Sequence, residues 1–188
     1  ESGHEWFGNN ITTNDIADMW VHEGFTMYSE VLFTEYYYGK KAGDEYLQGI
    51  RNNIQNDKPL IGPYGVNREG SNDMYNKGAS LLHTIRQVIN DDSLFRKILQ
   101  GLNKDYFHKT VDSKEVEAYF SRQSGKDLSK IFDQYLRTIQ IPVFEYKISG
   151  TQLSYRWTNC ISGFDMALQL EGSKDWIYPQ TNWKTMDL

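Results

Sequence analysis

The chain has 188 residues, a single cysteine (Cys160) and a net charge of −5. That length can bury one sizeable core and a smaller second unit, the charge argues against nucleic acid or an anionic membrane surface as partner, and one thiol excludes an intrachain disulfide. No apolar run approaches the length of a bilayer span, and there is no glycine-rich phosphate loop, internal repeat or low-complexity tract.

In chain order, residues 1–139 read as helical and 140–188 as strands, so the expected fold class is mainly α with a trailing β segment. Residues 1–9 read as the end of a helix. Residues 19–39 form a long helix, apolar nearly all round, which implies burial. A helix over 42–56 follows, with Tyr46, Ile50 and Ile54 at four-residue steps. The stretch from Lys58 to Gly70 holds Pro59, Pro63 and three glycines, which marks a loop. Asn72 is the expected cap of a helix to about Ile89, with Leu81, Leu82, Ile85 and Ile89 as its apolar stripe. Further helices fit 92–103, 113–123 and 128–138, with Asp112 or Ser113 and then Asp127 as caps and Gly125 as a stop. Beyond Gln140, Pro142 to Ile148 and Gln152 to Trp157 are rich in Val, Ile, Tyr and Phe around a Ser149-Gly150 turn, and 165–171 alternates as a third strand. Strands without partners leave an open edge that invites association.

The chemistry concentrates at two places near the start. In an H-E-x-x-H zinc motif, two His one helical turn apart grip the ion and the Glu beside the first acts on water. Glu1 and His4 fit the second and fifth positions of that motif, and the first His would precede residue 1. A catalytic zinc takes three protein ligands and keeps a position for water. Residues 5–22 separate His4 from Glu23, which lies among Trp20, Val21, Phe25, Met27, Tyr28 and Val31. A carboxylate in such company is costly to bury unless it is paired or binds a metal, with a Lys or Arg partner or a rim position as the alternatives. His22 adjoins Glu23 but points about 100° away along the helix, so it reads as a packing or hydrogen-bonding residue. His83 and His108 have no ligand-like spacing and read as structural or exposed.

With Trp6-Phe7-Gly8-Asn9 after His4, Trp20 and Glu23-Gly24-Phe25 around the second ligand, and Tyr75-Asn76-Lys77-Gly78-Ala79 downstream, the chain resembles the M1 family of zinc aminopeptidases. This is a gluzincin group of the aminopeptidase N and leukotriene A4 hydrolase type. The resemblance implies a zinc ion held by His4, Glu23 and a His before Glu1, with Glu1 as general base and Tyr75 as the phenol that stabilises the oxyanion. Glu30, seven residues after Glu23, would orient a zinc ligand, with a solvated helix glutamate as the equal alternative. His22 stands where the family usually carries Asn. The implied architecture is a thermolysin-like helical catalytic subdomain over 1–139, cut inside the H-E-x-x-H helix, followed by the first strands of a β-sandwich over 140–188.

The implied function is hydrolysis of N-terminal residues from peptides by a longer parent protein. The chain alone is expected to be inactive, because one ligand and the family's amine-binding Gly-x-Met-Glu-Asn segment fall upstream. It is expected to hold zinc weakly unless the α-amino group of Glu1 serves as a stand-in ligand. A non-catalytic binding module that keeps the fold, and a gluzincin endopeptidase or bifunctional hydrolase, remain the alternative functions. A peptide is the expected partner, and a periplasmic or secreted location is compatible with bacterial relatives.

Overall fold

The computed structural model describes residues 1–173 and 175–188. Their helices are α1 (Trp20–Tyr38), α2 (Lys40–Arg51), α3 (Asn76–Ile89), α4 (Asp92–Asp105), α5 (Ser113–Ser124) and α6 (Ser129–Arg137). Their strands are β1 (Ile11–Thr13), β2 (Lys109–Val111), β3 (Val143–Ser149), β4 (Gln152–Thr158), β5 (Leu168–Gln169), β6 (Trp176–Ile177) and β7 (Lys184–Asp187). The protein is mainly helical with small sheets. None of the described helices is long and apolar enough to cross a membrane.

Local chemistry accounts for many of the helix ends. Asp112 accepts from Glu115 N at 2.8 Å while Glu115 accepts from Asp112 N at 3.0 Å, a reciprocal cap on α5 that contributes about 1 kcal/mol. Gly125, at φ +67°, ends the same helix in the left-handed region. Asp91 caps α4 through Leu94 N, and Asp127 accepts from Ser129 N at the start of α6.

Four expectations change. Asn72 caps nothing: Ser71 accepts from Asp73 N to open a 3-10 turn over Asn72–Met74, and Tyr75 is the N-terminal boundary of α3. The segment before Asn9 is a 3-10 helix over Ser2–Glu5, where the end of an α-helix was expected. Inside the stretch read as helical, β1 and β2 form a parallel pair, Ile11 opposite Lys109 and Thr13 opposite Val111; three-residue strands carry too little alternation to be seen in sequence. The strand read over 165–171 shrinks to β5, which pairs with β6. The sheet after α6 has the order β3-β4-β7, all antiparallel.

The helices share one core. Phe25 stacks on Phe7 (4.6 Å between ring centroids) and meets Trp20 and Phe120 at 5.7 and 5.9 Å. Burial of α1 stops short of its end: Phe33, Tyr36, Tyr37 and Tyr38 are exposed, so its all-round apolar pattern overstates how much of it is covered.

Two buried charges, Arg86 and Glu117, sit in ion pairs. Arg86, from α3, makes a two-point contact with Glu35 of α1 (2.6 and 2.8 Å) and reaches Asp92 of α4 at 2.7 Å, so one guanidinium joins three helices. Behind the N-terminus of α1, Trp20 Nε1 donates to Ser113 Oγ and Ser113 Oγ donates to Glu117, both at 2.8 Å. Arg137 closes on Glu117 at 2.6 and 3.1 Å. Asp18, fully buried, accepts from Tyr64 Oη (2.7 Å) and Ser113 N (3.1 Å); burial raises its pKa, and these two hydrogen bonds pull it back down.

His83 sits between Tyr28 Oη, 3.3 Å from its Nδ1, and the Gln87 amide, 3.1 Å from its Nε2. Burial lowers its pKa; the charges of Arg86 and Lys40 add to this, and those of Asp44 and Glu35 oppose it. A depressed histidine means the unfolded chain takes the proton first as pH falls below about 6.5, so stability is lost from there down through the folded pKa. Thermal melts at pH 7.5 and pH 5 should show that loss, and His83→Gln should flatten it. An equal drop in the variant would remove His83 as its source.

Candidate metal centre

His4 is carried by the short helix over Ser2–Glu5, and Glu23 lies in the first turn of α1, where the helix dipole favours a negative charge. The two elements meet closely. A Cβ on Gly3 would lie 2.9 Å from Thr26 Cγ2, so only a residue without a side chain lets the short helix settle on α1 at this depth. His4 Nδ1 lies 3.0 Å from the Phe7 carbonyl, and the Thr26 hydroxyl lies 3.4 Å from the same nitrogen. Donation from Nδ1–H to Phe7 leaves the lone pair on Nε2, the tautomer a metal ligand requires.

That Nε2 points at Glu23, with 3.4 Å between it and Oε2. Two zinc ligands at ordinary bond lengths and a tetrahedral angle stand about 3.3–3.5 Å apart. The chemistry and the separation of these donors therefore fit two positions of a zinc site. Glu23 is buried, with 9% of its surface exposed, and no Lys or Arg pairs with it among the described residues. Those residues contain no cluster of three His, Cys, Asp or Glu side chains that could hold a metal.

Tyr75 is brought to the same place from the start of α3. Burial raises its phenol pKa, and the negative charge of Glu23 adds to the rise, with Glu69 contributing less. His4, Glu23 and Tyr75 thus converge from three separate segments.

No side-chain hydrogen bond or ion pair joins Glu1 or Glu30 to His4, Glu23 or Tyr75 among the described residues. Glu1 and Glu30 both line a groove of about 620 Å³ along the outer side of α1, with Gly3, Trp6, Phe33 and Tyr46. Glu30 is exposed and accepts from Tyr46 Oη at 2.5 Å, and no contact joins it to His4 or Glu23 among the described residues. Its observed partner is a phenol on α2. His22 accepts from Thr13 N at 3.0 Å, which ties β1 to α1, as a hydrogen-bonding histidine would. His108 has φ +51° and its backbone N–H donates to Asn10.

Sequence reasoning missed Thr26 and the Phe7 carbonyl. Thr26 is three residues after Glu23 on the same helix face, a spacing that could have flagged it. A carbonyl carries no side-chain signal, so the partner of His4 Nδ1 was invisible.

Residues 1–135 match the profile described as Peptidase family M1 domain. The chain is 24% identical to aminopeptidase M1 of Arabidopsis thaliana over 193 residues, covering 96% of the chain and 21% of that protein. It is 26% identical over 162 residues to aminopeptidase N of Lactococcus lactis subsp. lactis, covering 79% of the chain and 19% of that protein. The crystal structure of an M1 zinc metallopeptidase from Deinococcus radiodurans superposes with a TM-score of 0.62 at 25% identity, over 75% of the chain and 32% of its own. Aminopeptidase A of Legionella pneumophila has the same fold over 98% of the chain and 22% of its own, with a TM-score of 0.63 at 19% identity. The chain spans about a fifth of the length of the curated relatives it matches.

Proposed function

Since the chain belongs to peptidase family M1, we propose that it is the part of a zinc aminopeptidase that carries two of the three zinc ligands, the general base and the oxyanion-stabilising phenol. The observation that carries this reading is the 3.4 Å approach of His4 Nε2 to Glu23 Oε2, with Nδ1 engaged by the Phe7 carbonyl. Residues 1–139 are read as the helical part of a thermolysin-like catalytic domain, and 140–188 as the first strands of a β-sandwich. The end of α6 at Arg137 and the start of β3 at Val143 support that division.

In this reading His4 and Glu23 hold the ion together with a His that precedes Glu1 in the parent. A bound zinc ion supplies Lewis-acid polarisation of the scissile carbonyl and lowers the pKa of a water molecule. Glu1 accepts a proton on its carboxylate from the attacking water and returns it to the leaving amine. Tyr75 donates its phenolic hydrogen to the oxygen that becomes negative, and its raised pKa keeps that proton in place at neutral pH. The substrate is a peptide with a free α-amine, which other parts of the parent would recognise.

The test is an assay of the full-length parent on aminoacyl-arylamides. Activity should vanish in excess chelator and return with zinc, and His4→Ala and Glu23→Ala should each lose the bound metal while the fold persists. Full activity in chelator would refute the zinc mechanism. Stoichiometric zinc on a folded parent with no hydrolysis of any peptide would favour a binding module.

A further inference from the structure

The helices that carry Glu23 and Tyr75 touch backbone to backbone. A Cβ on Gly78 would lie 3.0 Å from Gly24 Cα. A Cβ on Gly24 would lie 3.2 Å from Gly78 Cα and 3.2 Å from the Met74 carbonyl oxygen. Gly24 follows Glu23 directly. Met74 and Gly78 bracket Tyr75, the latter one turn further along the same face of α3. The residue beside the carboxylate therefore rests on the backbone at both sides of the phenol.

We infer that the Gly24–Gly78 contact is a positioning device that sets the Tyr75 phenol against Glu23. The inference rests on the proposed role of Tyr75 and adds the element that fixes its distance. A methyl at Gly78 would stand 3.0 Å from Gly24 Cα, so α3 and α1 must give by roughly a few tenths of an ångström to admit it. Neither side of the contact has a flexible side chain that could give way instead. Gly78 and Gly24 act through Tyr75 and are not catalytic residues.

A double-variant cycle in the full-length parent tests this. Gly78→Ala should lower kcat by about 10- to 100-fold, with little change in KM or zinc content. In the Tyr75→Phe background the same substitution should change kcat by less than about two-fold, since there is no phenol left to misplace. Gly43→Ala is the control for general strain: its Cβ would lie 2.9 Å from Glu35 Cβ, between α2 and α1 and outside the site. It should leave kcat unchanged. Equal losses in both Tyr75 backgrounds, or the same loss from Gly43→Ala, would overturn the inference. If Gly78→Ala does not accumulate, Gly24→Ala, whose nearest approach is the milder 3.2 Å, takes its place in the cycle. Should the wild-type parent lack zinc-dependent activity, the aminopeptidase reading fails by itself. A crystal structure of Gly78→Ala in this chain then decides: a Tyr75–Glu23 separation wider by roughly a few tenths of an ångström or more supports the contact as the spacer, and an unchanged separation overturns it.

Discussion

Replacing Glu1 by Gln in the full-length parent is expected to lower kcat by about 10²–10⁴-fold, with KM and zinc content nearly unchanged. Gln has the same shape but cannot take a proton, so the change removes proton transfer and leaves packing alone. Glu1 lies three residues before His4, at the start of the short helix that rests on α1, and its backbone carbonyl accepts from His4 N at 3.0 Å. Its side chain is exposed. A variant that keeps more than about a tenth of wild-type kcat would assign the base to another group.

Arg137→Ala is expected to destabilise the chain by about 3–5 kcal/mol, a large share of the roughly 5–15 kcal/mol that holds a typical domain together. The cause is the partner left behind. Glu117 is 5% exposed, and Arg137 meets both of its carboxylate oxygens at 2.6 and 3.1 Å. Lys114 also reaches Glu117 at 3.2 Å, but its side chain is 62% exposed and can shield the charge only in part. The Ser113 hydroxyl donates to Glu117 too, so the loss would spread to Trp20 and the start of α1. Urea denaturation measures the effect. Arg137→Met with Glu117→Leu should recover most of it, because a buried ion pair replaced by apolar residues is often close to neutral. A single-variant loss below about 1 kcal/mol would show that the pair behaves like an exposed one.

Much of the helical framework was legible residue by residue. The stripe of Leu81, Leu82, Ile85 and Ile89 repeats at helical spacing, and these four residues are buried in α3. Asp112 and Gly125 mark helix ends through hydrogen bonds and dihedral angles confined to a few neighbours. The short strands were not legible. β1 owes its existence to a partner nearly a hundred residues away, and Ile11 and Val111 are both fully buried where the two strands meet. The outer part of α1 misled for a related reason: apolar character says that a side chain could be buried, and only its neighbours determine whether it is.

The candidate site divides along the same line. Spacing and residue type single out Glu1, His4, Glu23, Glu30 and Tyr75, because donor chemistry belongs to each side chain and helix periodicity relates those on one element. They do not distinguish Glu30, which faces Tyr46 across an exposed groove, from Glu23, which faces His4. Nor do they reveal that His4 Nδ1 is engaged by a backbone carbonyl, or that α3, which begins beside Tyr75, crosses α1 next to Glu23. Those relations depend on how Gly3 seats the short helix on Thr26 and how Gly24 meets Gly78. A pattern along the chain names the groups. The 3.4 Å approach of His4 to Glu23 is set by contacts between separate segments, which local propensity does not encode.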